Sequence, residues 1–172
     1  MKKITLLLLI IVSINGYSQA NFKWEKIDSI SKKQSQIYSS TKMFIAEYWK
    51  SAQNVIQNDD KESGIILVKG ICIKACTYMM YLHEFTFSYT VKFFMKDSKY
   101  KIEIDNVINT SHICDGHVVW KTVQPIDNYE GNMNLSKRRG NEIFTSLKTD
   151  LQGIVDNYEI YIKKPTVENS NW

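Results

Sequence analysis

Only two prolines and seven glycines occur among the 172 residues, while aromatic side chains make up 12% of the chain. A chain so poor in breakers and so rich in rings is not of the kind that stays disordered. Cysteine is scarce too, at three. An odd number cannot form a complete disulfide framework, so at least one thiol is left over. Cys72 and Cys76 lie four residues apart on an extended segment. That spacing holds them roughly 13 Å apart, beyond the Cα separation of about 7 Å that a bridge tolerates. They cannot pair unless the chain turns between them, so Cys114 is the expected partner of either if a bridge forms; otherwise the three are small buried hydrophobes. Excess charge is also lacking, with a formal net charge of +4. Nucleic-acid binders carry a strong basic patch, so nucleic acid is not an expected partner.

Long apolar runs are missing as well. The longest is Ile4–Ile14, preceded by Lys2 and Lys3 and followed by Ser18-Gln19-Ala20. A membrane anchor needs roughly 20 apolar residues. A charged start, a short apolar stretch and small residues at a cut site are instead the plan of a secretory signal. Residues 1–20 are thus expected to be a signal peptide, and the chain to be exported to the periplasm or beyond. No cysteine stands near the cut, so a lipoprotein is not expected. Removing Lys2 and Lys3 brings the net charge from +4 to +2. Also missing are a GxSxG elbow, a glycine-rich phosphate loop, HExxH and a paired-carboxylate signature, the usual marks of hydrolases and nucleotide enzymes.

What is present is pattern. Residues 31–57 carry apolar side chains at helical spacing, from Ile37/Tyr38 through Phe44/Ile45 and Tyr48/Trp49 to Val55/Ile56, which predicts a helix with one wide apolar face. Ser31 and Gln34 have capping-box spacing, and Asn58-Asp59-Asp60 reads as the stop. Phe22–Ile27 alternates loosely, as a short edge strand would. Ile65–Ile73 reads as a strand whose core side is ambiguous, because Ile65, Leu67, Ile71 and Ile73 share a side with Lys69. Gly70 within it marks a bulge or a close approach.

From His83 to Ile108 every second residue is apolar on either side of Lys96-Asp97-Ser98-Lys99. With that tetrapeptide as the turn, Met95 faces Tyr100, Phe93 faces Ile102, Val91 faces Ile104 and Phe87 faces Ile108. Lys92 then lies opposite Glu103, and Thr90 opposite Asp105. A slip of one residue would separate both the apolar pairs and the opposite charges. Asp115-Gly116 predicts a second two-residue hairpin, which returns the chain along residues 109–114. Residues 124–134 read as loop, and residues 136–162 as a helix with Ile143/Phe144, Leu147, Leu151, Ile154/Val155 and Tyr158 on its stripe. The order implies an α+β fold: an antiparallel sheet of about four to five strands packed against two helices, as a two-layer sandwich. Residues 21–164 form one domain in this reading, and residues 165–172 a disordered tail.

QIYSSTKMFIAEYWKSAQNVIQNDDKESGIILVKG, followed by FTFSYTVKFFMKDSKYKIEIDNV, resembles a family of exported bacterial proteins known as a domain of unknown function with a TBP-like fold. The features that carry the likeness are Ile37-Tyr38, Trp49, Asp60 through Gly64, Lys69-Gly70 and the turn from Lys96-Asp97 to Tyr100-Lys101. The resemblance spans roughly residues 35–108 and implies the TBP-like sandwich. It implies no reaction and no catalytic residues. HICDGHVVW, residues 112–120, is not part of that pattern.

Four constellations can carry function. His112, Cys114 and His117 would share one side of the hairpin at Asp115-Gly116. Two imidazoles and a thiolate, with Asp115 as an oxygen donor, suit zinc with an open fourth position, though the spacing matches no common zinc signature. Cys114 beside His117 is also a nucleophile-and-base pair. Lysines 92, 96, 99 and 101, and Lys137-Arg138-Arg139, form basic clusters suited to anionic glycans or lipid headgroups. Trp120 and Tyr129 are candidates for stacking on sugars. The sheet side opposite the core carries Thr86, Ser88, Thr90, Lys92, Phe94, Lys101 and Glu103, of which Lys92, Phe94, Lys101 and Glu103 form the expected contact surface, because Phe94 would otherwise be an unexplained exposed ring. The expected function is an exported, non-enzymatic binding or envelope-assembly module with no resident cofactor, acting on an envelope protein or glycan. The rival expectations are a metal-assisted hydrolase built on His112, Cys114 and His117, and a purely structural envelope protein.

Overall fold

The computed structural model of the chain describes residues 23–120, 124–125 and 135–165. The expected signal segment, the tail after Pro165 and most of the expected loop, with Tyr129 in it, lie outside those residues, as does the side chain of Trp120. Ten elements follow in order: β1 (Trp24–Ser29), α1 (Gln34–Trp49), α2 (Ala52–Val55), β2 (Ile56–Asp60), β3 (Ile65–Tyr78), β4 (Tyr81–Lys96), β5 (Lys99–Cys114), β6 (His117–Trp120), β7 (Gln124–Pro125) and α3 (Lys137–Ile162). The antiparallel sheet runs β1-β5-β4-β3-β2, with β6 and β7 also paired to β5. The fold is α+β, and five strands form its main path.

The central hairpin takes the register that its alternation and charges dictate. Met95 pairs with Tyr100, Phe93 with Ile102, Val91 with Ile104 and Lys92 with Glu103. Beyond Thr90–Asp105 the register shifts twice, so Phe87 opposes Asn109 rather than Ile108. Asn106, at φ 51°, sits in the first bulge. Each bulge inserts one residue and switches which parity faces the helices. The core side of β5 therefore passes from Ile104 to Val107 and Asn109, then to His112, all buried. A bulge in a strand of mixed composition has no strong mark in sequence.

The first helix is shorter than its stripe suggests. Lys50, in the left-handed region at φ 57°, ends it after Trp49. Ile56–Asp60 is an edge strand that pairs with β3, not the tail of a helix. Its start is also displaced: Gln36 Oε1 accepts the Lys33 N–H at 2.9 Å, two residues beyond the expected Ser31–Gln34 box. Asp97 accepts the Gln34 N–H at 2.7 Å and ties α1 to the tip of the central hairpin. The last helix keeps its expected bounds, with the Ser136 hydroxyl accepting the Arg139 N–H as the cap.

Helices α1 and α3 cover one face of the sheet. Ile37, Phe44 and Ile45 from α1, and Leu147, Leu151 and Tyr158 from α3, meet Val68, Phe87, Val91, Phe93, Tyr100 and Ile102. The ambiguity of β3 resolves on its even-numbered side: Ile66 and Val68 are fully buried, whereas Ile71 and Ile73 stay 66% and 61% exposed. Gly70 belongs to that inner side because the Tyr89 ring lies over it; a Cβ there would sit 2.3 Å from Tyr89 Cζ. All three cysteines are free.

Candidate functional site

The chemistry of the expected triad falls to a different set of side chains. Cys114 stands between His83 and His117 in the strand register, and His83 in turn opposes Cys76. The thiol takes the β4 side, with Cys114 Sγ 3.8 Å from His83 Nε2. His83 Nδ1 lies 2.9 Å from His112 Nε2, and the His112 ring is stacked on Phe85 at 4.3 Å. His83 and His112 are both buried, while His117 is exposed at the tip. The arrangement is thus a chain, Cys114–His83–His112, with both His83 nitrogens engaged. Burial, together with neighbouring His83, lowers the pKa of His112.

A chain of this kind orients a proton but does not surround an ion. Among the described residues no three His, Cys, Asp or Glu side chains converge on a point that would hold a metal. Sequence reasoning missed His83, yet the signal was there. Extending the Met95–Tyr100 register down the hairpin brings position 83 onto the same side as 112, and the two bulges leave this unchanged because their switches of parity cancel.

Glu103 organises the expected contact surface. Lys101 Nζ stands 2.8 Å from its carboxylate, Lys23 3.4 Å and Lys92 3.6 Å. Lys101 also reaches Glu25, and Lys92 bonds Asp105. Three ammonium groups meet three carboxylates, and Lys101 covers the half-buried Phe94 ring at 5.0 Å. The cluster is neutral within itself, which leaves little charge for a ligand. Burial alone would raise the Glu103 carboxyl, but hydrogen bonding and charge from Lys101, then Lys23, overrule it and hold the pKa at about 2. Because this folded-state value lies below the ordinary 4.5, the group stabilises the fold above pH 4.5, and that contribution is lost as pH falls toward 2. The melting temperature is therefore expected to fall between pH 5 and pH 2.5. Differential scanning calorimetry of Glu103→Gln should show a flatter slope across the same window.

The far end of the sheet is different. There β3 and β4 turn through Met79-Met80, and β5 and β6 through Asp115-Gly116. The two turns are joined: the Asp115 N–H donates to the Leu82 carbonyl at 2.8 Å, and the Leu82 N–H donates to Asp115 Oδ1 at 3.0 Å. Met79, Met80, Tyr81 and Leu82 are exposed, Met80 at 94%, and so are Val118 and Val119. On the uncovered face behind them lie Ile71 and Ile73. No motif search would find this surface; its only mark in sequence is TYMMYL, an apolar run at a position where a turn needs polar residues or glycine.

A family model described as a domain of unknown function (DUF4468) with TBP-like fold matches residues 24–109. The structure is similar to the crystal structure of a DUF4468 family protein from Bacteroides ovatus, with a TM-score of 0.59 at 15% identity over 85% of this chain and 88% of that one. It is also similar to a TBP-like protein from Parabacteroides distasonis, with a TM-score of 0.58 at 11% identity over 81% of this chain and 93% of that one. No curated protein sequence matches the chain. At these identities the likeness concerns the fold alone. Among the described residues no helix is long and apolar enough to cross a membrane.

Proposed function

Since the chain belongs to the DUF4468 family of TBP-like domains of unknown function, we propose that it is an exported, non-enzymatic binding module of the cell envelope. The contact surface in this reading is the far end of its sheet. Export rests on the first twenty residues, with their charged start, short apolar stretch and small residues at 18 and 20. The observation that carries the binding role is the exposure of the joined hairpin ends: Met80 at 94%, Met79 at 69% and Val118 at 53%. Exposed apolar side chains gathered at one place mark contact surfaces, whereas scattered ones do not. Lys92, Phe94, Lys101 and Glu103 remain a secondary candidate, because their charges are already satisfied by one another.

Cell fractionation tests this reading. The mature protein is expected to begin at Asn21 on N-terminal sequencing and to sediment with the envelope. An Ile73→Lys/Leu82→Lys variant, which places charge on exposed positions, is expected to move to the soluble exported fraction. Recovery of the intact chain from Met1 in the cytoplasm, or a variant that sediments like the parent, would overturn it.

A further inference from the structure

The hairpin ends at the far end of the sheet make opposite choices for one backbone demand. Each is a two-residue turn with both central residues at positive φ: 47° and 78° at Asp115-Gly116, 49° and 70° at Met79-Met80. Turns of this type favour Asn-Gly or Asp-Gly, because a side chain in the left-handed region brings Cβ against the following carbonyl oxygen. One turn complies. The other places two unbranched apolar side chains there, and their exposure shows that the fold does not hold them in place. Strain of this kind clusters at functional sites.

A second unfavourable choice stands at the same end. The first turn of α3 carries Lys137, Arg138 and Arg139 and no acid. Cations oppose the positive end of the helix dipole, and among the described residues Glu142 offsets them, pairing with both arginines. Arg139 lines a cleft with Cys76 and Thr77, next to Tyr78 where the methionine turn begins. One surface suits both choices: apolar within and negatively charged at its rim. Tyr78 and Tyr81 flank the methionines, as rings do where hydrocarbon meets headgroups. A side chain that is 94% exposed projects from the molecule, which fits entry between lipids better than a flat protein contact.

We propose that the methionine hairpin inserts into the interface of a bilayer bearing anionic headgroups, with Lys137, Arg138 and Arg139 at headgroup level. This deepens the envelope-binding reading and rests on it by naming the component bound. The test is flotation of residues 21–172 with vesicles of phosphatidylcholine alone and of phosphatidylcholine with 30% phosphatidylglycerol. The protein is expected to float with the anionic vesicles and to be released by raised salt. A Met79→Asn/Met80→Gly variant supplies the turn its preferred residues. It should melt several degrees higher while its binding falls at least tenfold. Lys137→Glu should weaken binding severalfold while the melting temperature stays level or rises, because an acid suits that end of the helix dipole.

The proposal is overturned if the parent ignores anionic vesicles, if the Asn-Gly variant binds as well as the parent, or if sedimentation equilibrium shows that the turn instead joins two copies of the chain. Failure with vesicles, combined with envelope sedimentation in cells that still depends on Leu82, would remove the lipid and leave the binding role. Recovery of the chain in the cytoplasm would remove the binding role whatever the vesicles report.

Discussion

Replacing Tyr158 with alanine is expected to cost about 4 kcal/mol of stability, the range found for emptying a large aromatic site. Tyr158 is fully buried where the two helices meet the sheet. Its ring packs against Phe93 at 4.8 Å, Phe44 at 5.2 Å and Tyr100 at 5.3 Å. Its hydroxyl and that of Thr41 are 2.9 Å apart, which links α3 to α1. Phe93, Tyr100 and Phe44 come from β4, β5 and α1, so no single element can move inward to fill the space. At roughly 2–4 °C per kcal/mol for a domain of this size, the melting temperature should drop by about 10 °C. Tyr158→Phe separates packing from hydrogen bonding: Thr41 keeps its bond to the Ile37 carbonyl, so the loss should be about 1 kcal/mol. A Tyr158→Ala protein that melts within about 3 °C of the parent would show that this junction is not the centre of the core.

Gly64→Ala is expected to cost about 3 kcal/mol, although it adds a single methyl group to a turn. Gly64 lies at φ +65°, and an added Cβ would stand 2.3 Å from the Met95 carbonyl oxygen and 2.7 Å from Gln34 Nε2. The glutamine can swing away, but the carbonyl belongs to the central hairpin and cannot. The Met95 N–H also donates to the Gly64 carbonyl at 2.8 Å, so a shift that relieves the overlap breaks that bond. Urea denaturation at unchanged m-value reads the loss directly. A midpoint within error of the parent would mean that the turn relaxes freely.

The central hairpin was legible because two independent patterns agreed. Apolar alternation and the Lys92–Glu103 charge pair specify one register, and the structure adopts it from Lys96–Lys99 to Thr90–Asp105. The helix at 137–162 was legible because Ser136 caps it and its stripe is unbroken. The end of α1 was hidden because Val55 and Ile56 keep helical spacing past the break, and a lysine in the left-handed region leaves no sign in sequence. The inner side of β3 was hidden because its apolar residues are split. Ile71 and Ile73 face outward, while Gly70 serves the core by having no side chain beneath Tyr89. At the candidate site, Cys114 and His112 were read from a turn signal, but His83 required following the register through fourteen residues of strand. The methionine turn could not be read as a turn at all, since its residues are those that such turns disfavour.

The order of the strands has a consequence for the chain as it is made. β3, β4 and β5 each pair with their neighbour in sequence, so this meander can zip up once residue 114 has emerged. Its inner face, with Phe85, Phe87 and Phe93, has no roof from α3 until residues 137–162 follow. A half-synthesised chain therefore presents an inner face roofed by α1 alone, the kind of intermediate that aggregates.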